Sequence, residues 1–362
     1  MTPDLMSDDD WRLVLARIAD PDALDASARA HGALKRRREV RDGQTLLRLA
    51  LAYGPGGQSL RGEAAWAEAS GVAALSDVAL LKRLRASADW LDVLCGAQLA
   101  RLAEGAAPAG DAPRCLRLVD GTRIAGPGGR AWRLHLAYDL PAGRLRHLEL
   151  TDIHGAEALE RAPVAPGEIR LADRVYARPD GLRHELSAGG DLIVRLSWKS
   201  LRLLDRAGAP FDLTAFLAAC PADGAAAAVW VGKARGGATW QPLALRLIAI
   251  RKPKAARRKS RERARRASRR NGTRLDARTL AAADYLLLLT SLPAERYPAQ
   301  AVAGLYRLRW QIELAVKRLK SLLHIDRLPA KDPQLARTWL TAHLLAALAI
   351  EGLCQEALDS PP

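Results

Sequence analysis

A chain of 362 residues, 49% of them apolar, can bury a sizeable core and is long enough for two or three domains, which excludes a disordered tail or a small stapled module. Its 56 Lys and Arg outweigh 40 Asp and Glu, giving a formal charge of +16, a balance that favours a polyanion such as nucleic acid over a neutral metabolite. No apolar run reaches the ~18 residues of a membrane span, and the opening MTPDLMSDDDWRL is acidic where a secretion signal is basic. A cytoplasmic protein, nucleoid-associated when bound to DNA, is expected. Cys95, Cys115, Cys220 and Cys354 lie far apart, a spacing that indicates neither a zinc knuckle nor a disulfide framework.

Residues 1–108 carry apolar residues at helical spacing, as in QTLLRLALAYG, and no strand pattern. An all-α N-terminal domain is predicted. Within it, SLRGEAAWAEAS and SDVALLKRLRAS are joined by a short Gly-containing turn, which fits a helix-turn-helix with Lys82, Arg83 and Arg85 as candidate DNA contacts. A plain helical bundle with solvated basic residues is the alternative.

After the linker-like EGAAPAGDAP the period changes from helical to alternating. RCLRLVDGT, AWRLHLAYDL and GRLRHLELTD, separated by GPGGR and PAG, predict a three-stranded antiparallel meander. A short helix over His154 to Arg161, a strand in EIRLADR, a helix in DGLRHELSAGG and a strand in DLIVRLSW follow. That order predicts an α/β fold: an RNase H-like mixed sheet with helices, its first part spanning residues 109–198. Residues 199–284 read as a β-rich insertion that ends in a basic tract, with twelve Lys or Arg and one Glu between Arg251 and Arg270. So dense a charge repels itself and is expected to order only against phosphate, which makes Arg257, Arg258, Lys259, Arg265 and Arg266 candidate DNA contacts. Residues 285–362 complete the core, with the apolar TWLTAHLLAALAIEGLC as a core helix.

The segment AVAGLYRLRWQIELAVKRLKSLL reads as one continuous helix. At about 100° per residue, Tyr306, Arg309, Glu313, Lys317 and Lys320 fall on one narrow stripe, beside an apolar stripe of Leu308, Ile312, Val316, Leu319 and Leu323. Alone this is a surface ion-pair ladder. It gains meaning because Asp120 and Asp173 end short strands that are parallel neighbours in an RNase H-like sheet. Asp111, Asp139, Asp152, Glu168 and Asp191 fit that centre less well. Hard divalent cations take carboxylate oxygens, so Asp120, Asp173 and Glu313 are predicted to anchor two Mg²⁺ ions, with Mn²⁺ able to substitute.

Tyr306, Arg309, Glu313 and Lys320 stand at Y-x2-R-x3-E-x6-K, and with VDGT around Asp120 and LADRVY around Asp173 the chain resembles bacterial transposases of insertion sequence family four. Val175 departs from the Gly common there, and Leu286 stands where hairpin-forming members carry Trp. The resemblance implies a DDE triad of Asp120, Asp173 and Glu313, with a β-rich insertion between the second and third acids. It implies hydrolysis at each element end followed by attack of the 3′ hydroxyl on target DNA, and roles for Tyr306, Arg309 and Lys320 in holding backbone phosphates. Double-stranded DNA is the expected partner, and pairing of two ends implies a homodimer. A DNA-binding protein that no longer cuts, or a structure-selective nuclease of the same fold, is the competing expectation.

Overall fold

The computed structural model describes residues 8–104, 115–233, 240–322, 324–325 and 328–359. Asp111, Leu323 and the side chain of Cys354 lie outside the described residues. The N-terminal part is all-helical: α1 (Asp8–Ile18), α2 (Pro21–Ala30), α3 (Gly43–Tyr53), α4 (Leu60–Ala69), α5 (Asp77–Ala86) and α6 (Ala88–Glu104). Side-chain caps fix where several of these helices start. Asp42, Ser59 and Ser76 accept from the N–H groups of Thr45, Gly62 and Ala79 at 2.7, 3.1 and 3.2 Å. Helices α4 and α5 pack on each other across a turn at Gly71, whose φ of +66° suits glycine.

The rest of the chain runs β1 (Leu116–Ala125), β2 (Ala131–Asp139), β3 (Arg144–Asp152), β4 (Ile169–Ala172), α7 (Pro179–Ser187), β5 (Asp191–Arg195), β6 (Arg202–Leu204), α8 (Leu213–Ala218), β7 (Ala225–Gly232) and β8 (Leu243–Arg251). It continues through α9 (Lys254–Arg270), α10 (Ala277–Ala283), β9 (Tyr285–Thr290), α11 (Ala299–Arg307), α12 (Trp310–Leu322) and α13 (Pro333–Asp359). Among the described residues, nine strands join one sheet in the order β3-β2-β1-β4-β5-β9-β8-β7-β6. The antiparallel meander β1 to β3 followed by parallel β4 and β5 is an RNase H-like arrangement. The strands of 199–284 extend this same sheet, because β8 pairs with β9 from Arg246↔Thr290 to Arg251↔Tyr285.

Side-chain alternation divides the sheet into two apolar faces. Leu118, Leu171, Ile193 and Leu288 face one core, which takes in the N-terminal helices together with residues of α11, α12 and α13. Val119, Ala172, Val194 and Leu289 face the other, with Leu182 of α7 and Leu217 of α8. As expected for its apolar sequence, α13 is a core helix. It packs most heavily on α6 and also on α3, α5 and β3, and Thr341 Oγ1 donates to Asp92 Oδ1 at 2.8 Å. No described helix is long and apolar enough to cross a membrane.

Three local expectations need correction. The single helix predicted over 301–323 is broken between α11 and α12, where Leu308, Arg309, Gln311 and Ile312 donate only three residues back, to Leu305, Tyr306, Leu308 and Arg309. A tighter turn of this kind advances about 120° per residue, so the stripe computed at 100° drifts there. The helix predicted from His154 to Arg161 is a single 3₁₀ turn at Leu159–Arg161. Asp152 Oδ1 accepts from the N–H groups of His154 and Gly155 at 2.9 and 3.1 Å, an Asx turn that competes with helix formation. The basic tract, expected to order only on phosphate, is the regular helix α9. Its half-buried Ala256, Ser260, Ala264 and Ala267 recur at helical spacing, α9 packs on α10, and Arg261 pairs with Asp284 at 2.5 Å. Alanine and arginine are strong helix formers, and one anchored face offsets the self-repulsion of the others.

Candidate active site

The register of two parallel strands creates the site. β1 pairs with β4 through Leu118↔Leu171, so Asp120 and Asp173 each stand two residues beyond that pair, in the same row. Being two residues on, each shares the face of the leucine before it, the face covered by α12. Parallel strands lie about 4.8 Å apart, so the two carboxylates emerge as neighbours. Asp120 Oδ1 accepts from Gly121 N at 3.0 Å, and Asp173 Oδ1 accepts from Val175 N at 2.6 Å.

Arg309, at the break between α11 and α12, gathers the third acid. Its Nη1 lies 3.8 Å from Asp120 Oδ2, and its Nη2 donates to Glu313 Oε1. Glu313 is 58% exposed at its side chain, whereas Asp120 is 22% exposed. Burial pushes the Asp120 carboxyl up to about 6, against the pull of Arg309 and Gly121 N–H and with a push from Asp173 and Glu157. Burial opposes the charge on Arg309, yet Tyr306, Asp120, Glu313 and Asp173 hold its guanidinium above the usual range.

Tyr306 is buried, and burial raises its hydroxyl above the ordinary phenol range, with the charges of Arg309, Arg195 and Asp173 bearing on it. Lys320 Nζ donates to Arg123 O of β1 at 2.9 Å, which ties α12 across the strand that carries Asp120. Lys317 is exposed and lines a shallow open groove of about 570 Å³ together with Glu313, Lys320, Ser321 and His324. The Tyr306, Arg309, Glu313 and Lys320 side chains are therefore split: the first is packed inward, the second bridges acids, and the last two border open space.

The basic helix belongs to the same edge of the sheet. β9 runs antiparallel to β5 and β8 antiparallel to β9, so β8 ends on the same edge of the sheet as β4 and β5, with Arg251 three residues beyond the level of Arg195. Helix α9 starts three residues later. Arg258, Lys259, Arg265 and Arg266 on it are exposed, and Arg257 is half-buried. In the N-terminal part, Lys82 is exposed, but Arg83 donates to Arg36 O at 2.9 Å and Arg85 to Asp332 Oδ2 at 2.6 Å. As placed, the two arginines tie α5 to the loop after α2 and to the residue just before α13.

The acids set aside from the sequence have other partners. Asp139 pairs with Arg146 at 3.1 Å, Glu168 with Arg170, and Asp191 Oδ1 accepts from Ser291 Oγ at 2.5 Å. Glu157 was missed altogether. It sits against Gly121, next to Asp120, and pairs with Arg133 at 3.5 Å. Burial raises its carboxyl as well, opposed by Arg133 and reinforced by Asp173. A glycine inside a strand signals a close approach of this sort.

Among the described residues no three His, Cys, Asp or Glu side chains stand close enough to form a ready metal centre. The donor set nonetheless fits a hard cation in its chemistry: two adjacent aspartates, one of them with its charged form disfavoured by burial unless a cation offsets it, and a glutamate drawn in by a guanidinium that supplies positive charge between acids. Adjacent aspartates on the parallel strands of an RNase H-like sheet, with a glutamate from a covering helix, define a class of nucleic-acid phosphoryl-transfer proteins. Residues 111–349 match the transposase DDE domain, a domain that works with divalent metal ions. The chain is 49% identical to transposase InsL of insertion sequence element IS186A from Escherichia coli (strain K12), covering 98% of this chain and 97% of that protein. It is 48% identical to the transposase of insertion sequence element IS421 from Escherichia coli, with the same coverage. This chain belongs to the DDE transposase family, within insertion sequence family four.

Proposed function

We propose that the chain moves an insertion sequence by cut and paste, hydrolysing phosphodiester bonds at the element's ends and joining the freed 3′ hydroxyls to target DNA. The single observation that carries the reading is the row shared by Asp120 and Asp173, faced by Arg309 and Glu313. Asp120, Asp173 and Glu313 would hold two Mg²⁺ ions, or Mn²⁺ in their place, and bound there such ions activate the attacking oxygen and stabilise the leaving oxygen. Arg309 keeps Glu313 beside the aspartates and, once it is released from them, is free to grip a backbone phosphate. Tyr306 packs Arg309 in place, Lys320 fixes α12 on β1, and Lys317 reaches DNA from the open groove.

Helix α9 is read as a second phosphate-binding surface, through Arg257, Arg258, Lys259, Arg265 and Arg266, because it rises from the edge that carries the acids. Lys82 is read as a further contact from the helix pair α4–α5. Two copies of the chain, one per element end, would bring the ends together.

The test uses purified protein, Mg²⁺ and a duplex that carries the element's inverted ends. Strand cleavage by the unaltered chain that disappears in Glu313→Ala, with the 3′ end joined to a second duplex, is the expected result. DNA binding without cleavage by the unaltered chain would overturn the reading, and cleavage without joining would reduce it to a nuclease.

A further inference from the structure

We propose that Glu157 is a fourth acidic member of this site, a positioning residue that strengthens the hold of Asp120 and Asp173 on a divalent cation. The proposal rests on the reading of those two aspartates as cation ligands. Its starting point is Gly121. A Cβ at that position would lie 2.7 Å from Glu157 Cγ and 3.0 Å from both Cδ and Oε1, so any side chain there would drive the carboxylate away. The residue after Asp120 thus leaves room for a second acid to close on the same stretch of β1, from the opposite face of the strand.

The segment that carries Glu157 is pinned as well as admitted. Arg133, on the neighbouring strand β2, donates to Gly155 O at 2.7 Å through Nη1 and stands 3.5 Å from Glu157 Oε1 through Nε. The negative charges of Asp120, Glu157 and Asp173 all bear on the buried hydroxyl of Tyr176, whose ring packs just beyond β4. Three acids therefore gather where β4 ends beside the middle of β1. Arg309 serves Asp120 from above the sheet and Arg133 serves Glu157 from below. A cation at the aspartate row gains from the added negative field, in the way that groups around a metal's direct ligands tune its affinity.

A purely structural role for the Glu157–Arg133 pair is the competing explanation, and Mn²⁺ affinity in DNA-free protein, read by electron paramagnetic resonance, separates the two. Glu157→Gln keeps the shape and is expected to weaken Mn²⁺ binding about 10-fold while the melting temperature in chelator holds. Gly121→Ala, which keeps the charge but displaces it, is expected to move affinity in the same direction. Unchanged Mn²⁺ affinity in Glu157→Gln, beside a large loss in Asp120→Asn, would overturn the role of Glu157 alone. Unchanged affinity in both would overturn the cation reading of Asp120 and the proposal with it.

Discussion

The stretch where β1 and β4 run side by side carries a charge cluster at each end, and the two differ in their exposure. At the start of the strands Arg170 is fully buried against Glu168 and, at 3.0 Å, Glu185, while Arg117 reaches Glu168 at 3.4 Å and Asp139 at 3.8 Å. Further carbonyls of Leu159, Ala162 and Pro163 accept from the Arg170 guanidinium at 3.1, 3.1 and 2.7 Å. These groups are sequestered in ion pairs, though burial pushes the Glu185 carboxyl up to about 7 against the pull of Arg170. At the other end Asp120 is partly buried, its carboxyl pushed up to about 6 by that burial, and Glu313 stands exposed with Arg309 as its link to the strands. One cluster is sealed inside the fold by its own ion pairs, and the other opens to the surface through Glu313.

The largest effect expected from this contrast is on chemistry. Asp120→Asn, Asp173→Asn and Glu313→Gln should each lower strand cleavage by about 10³-fold or more with the fold retained, as gel assays and circular dichroism would report. At the sealed cluster the order reverses: Arg170→Met should destabilise the chain by about 3–5 kcal/mol, because it strands two buried glutamates, and denaturant titration measures it. Cleavage by whatever fraction stays folded should persist.

A subtler difference is the sign of the stability change at the open end. The folded-state pKa of Asp120 is raised from 3.8 to about 6, so its protonated form is favoured by folding, and that stability is full below about pH 4 and lost as pH climbs through 6. Without metal, Asp120→Asn should therefore be more stable than the parent at neutral pH by on the order of 1–3 kcal/mol, and equal to it near pH 4. Thermal melts in chelator at the two pH values check this, and a destabilised variant at neutral pH would make Asp120 a structural acid like Glu168. The smallest effect is expected on α9, where Arg265→Gln with Arg266→Gln should leave stability within about 0.5 kcal/mol yet lower the salt dependence of DNA binding by about one to two ions.

Much of the site could be read before any coordinate. Alternation in RCLRLVDGT and the short run EIRLA put both aspartates at the ends of neighbouring parallel strands; Asp173 does follow β4, whereas Asp120 lies inside β1, which pairs with β2 as far as Ala125. The helix carrying Glu313 was legible from its apolar spacing, but the break at Leu308 and Arg309 was not. No Gly or Pro marks it, and the turn is set by packing of Tyr306 and by the acids that Arg309 meets. For α9 the charge count misled, since the small residues that anchor one face are inconspicuous among the arginines. Glu157 was invisible because its partner is a missing side chain at Gly121, thirty-six residues earlier, and the β2–β3 hairpin brings the two back together.

The most direct measurement is metal specificity switching at Asp120. Asp120→Cys replaces a hard oxygen by a sulfur that Mn²⁺ tolerates better than Mg²⁺. Cleavage of the element's end should be lost in Mg²⁺ and regained in part in Mn²⁺, as a residue that touches the cation requires. Equal cleavage in both ions, or none in either while Asp120→Glu stays active in Mg²⁺, would contradict the account.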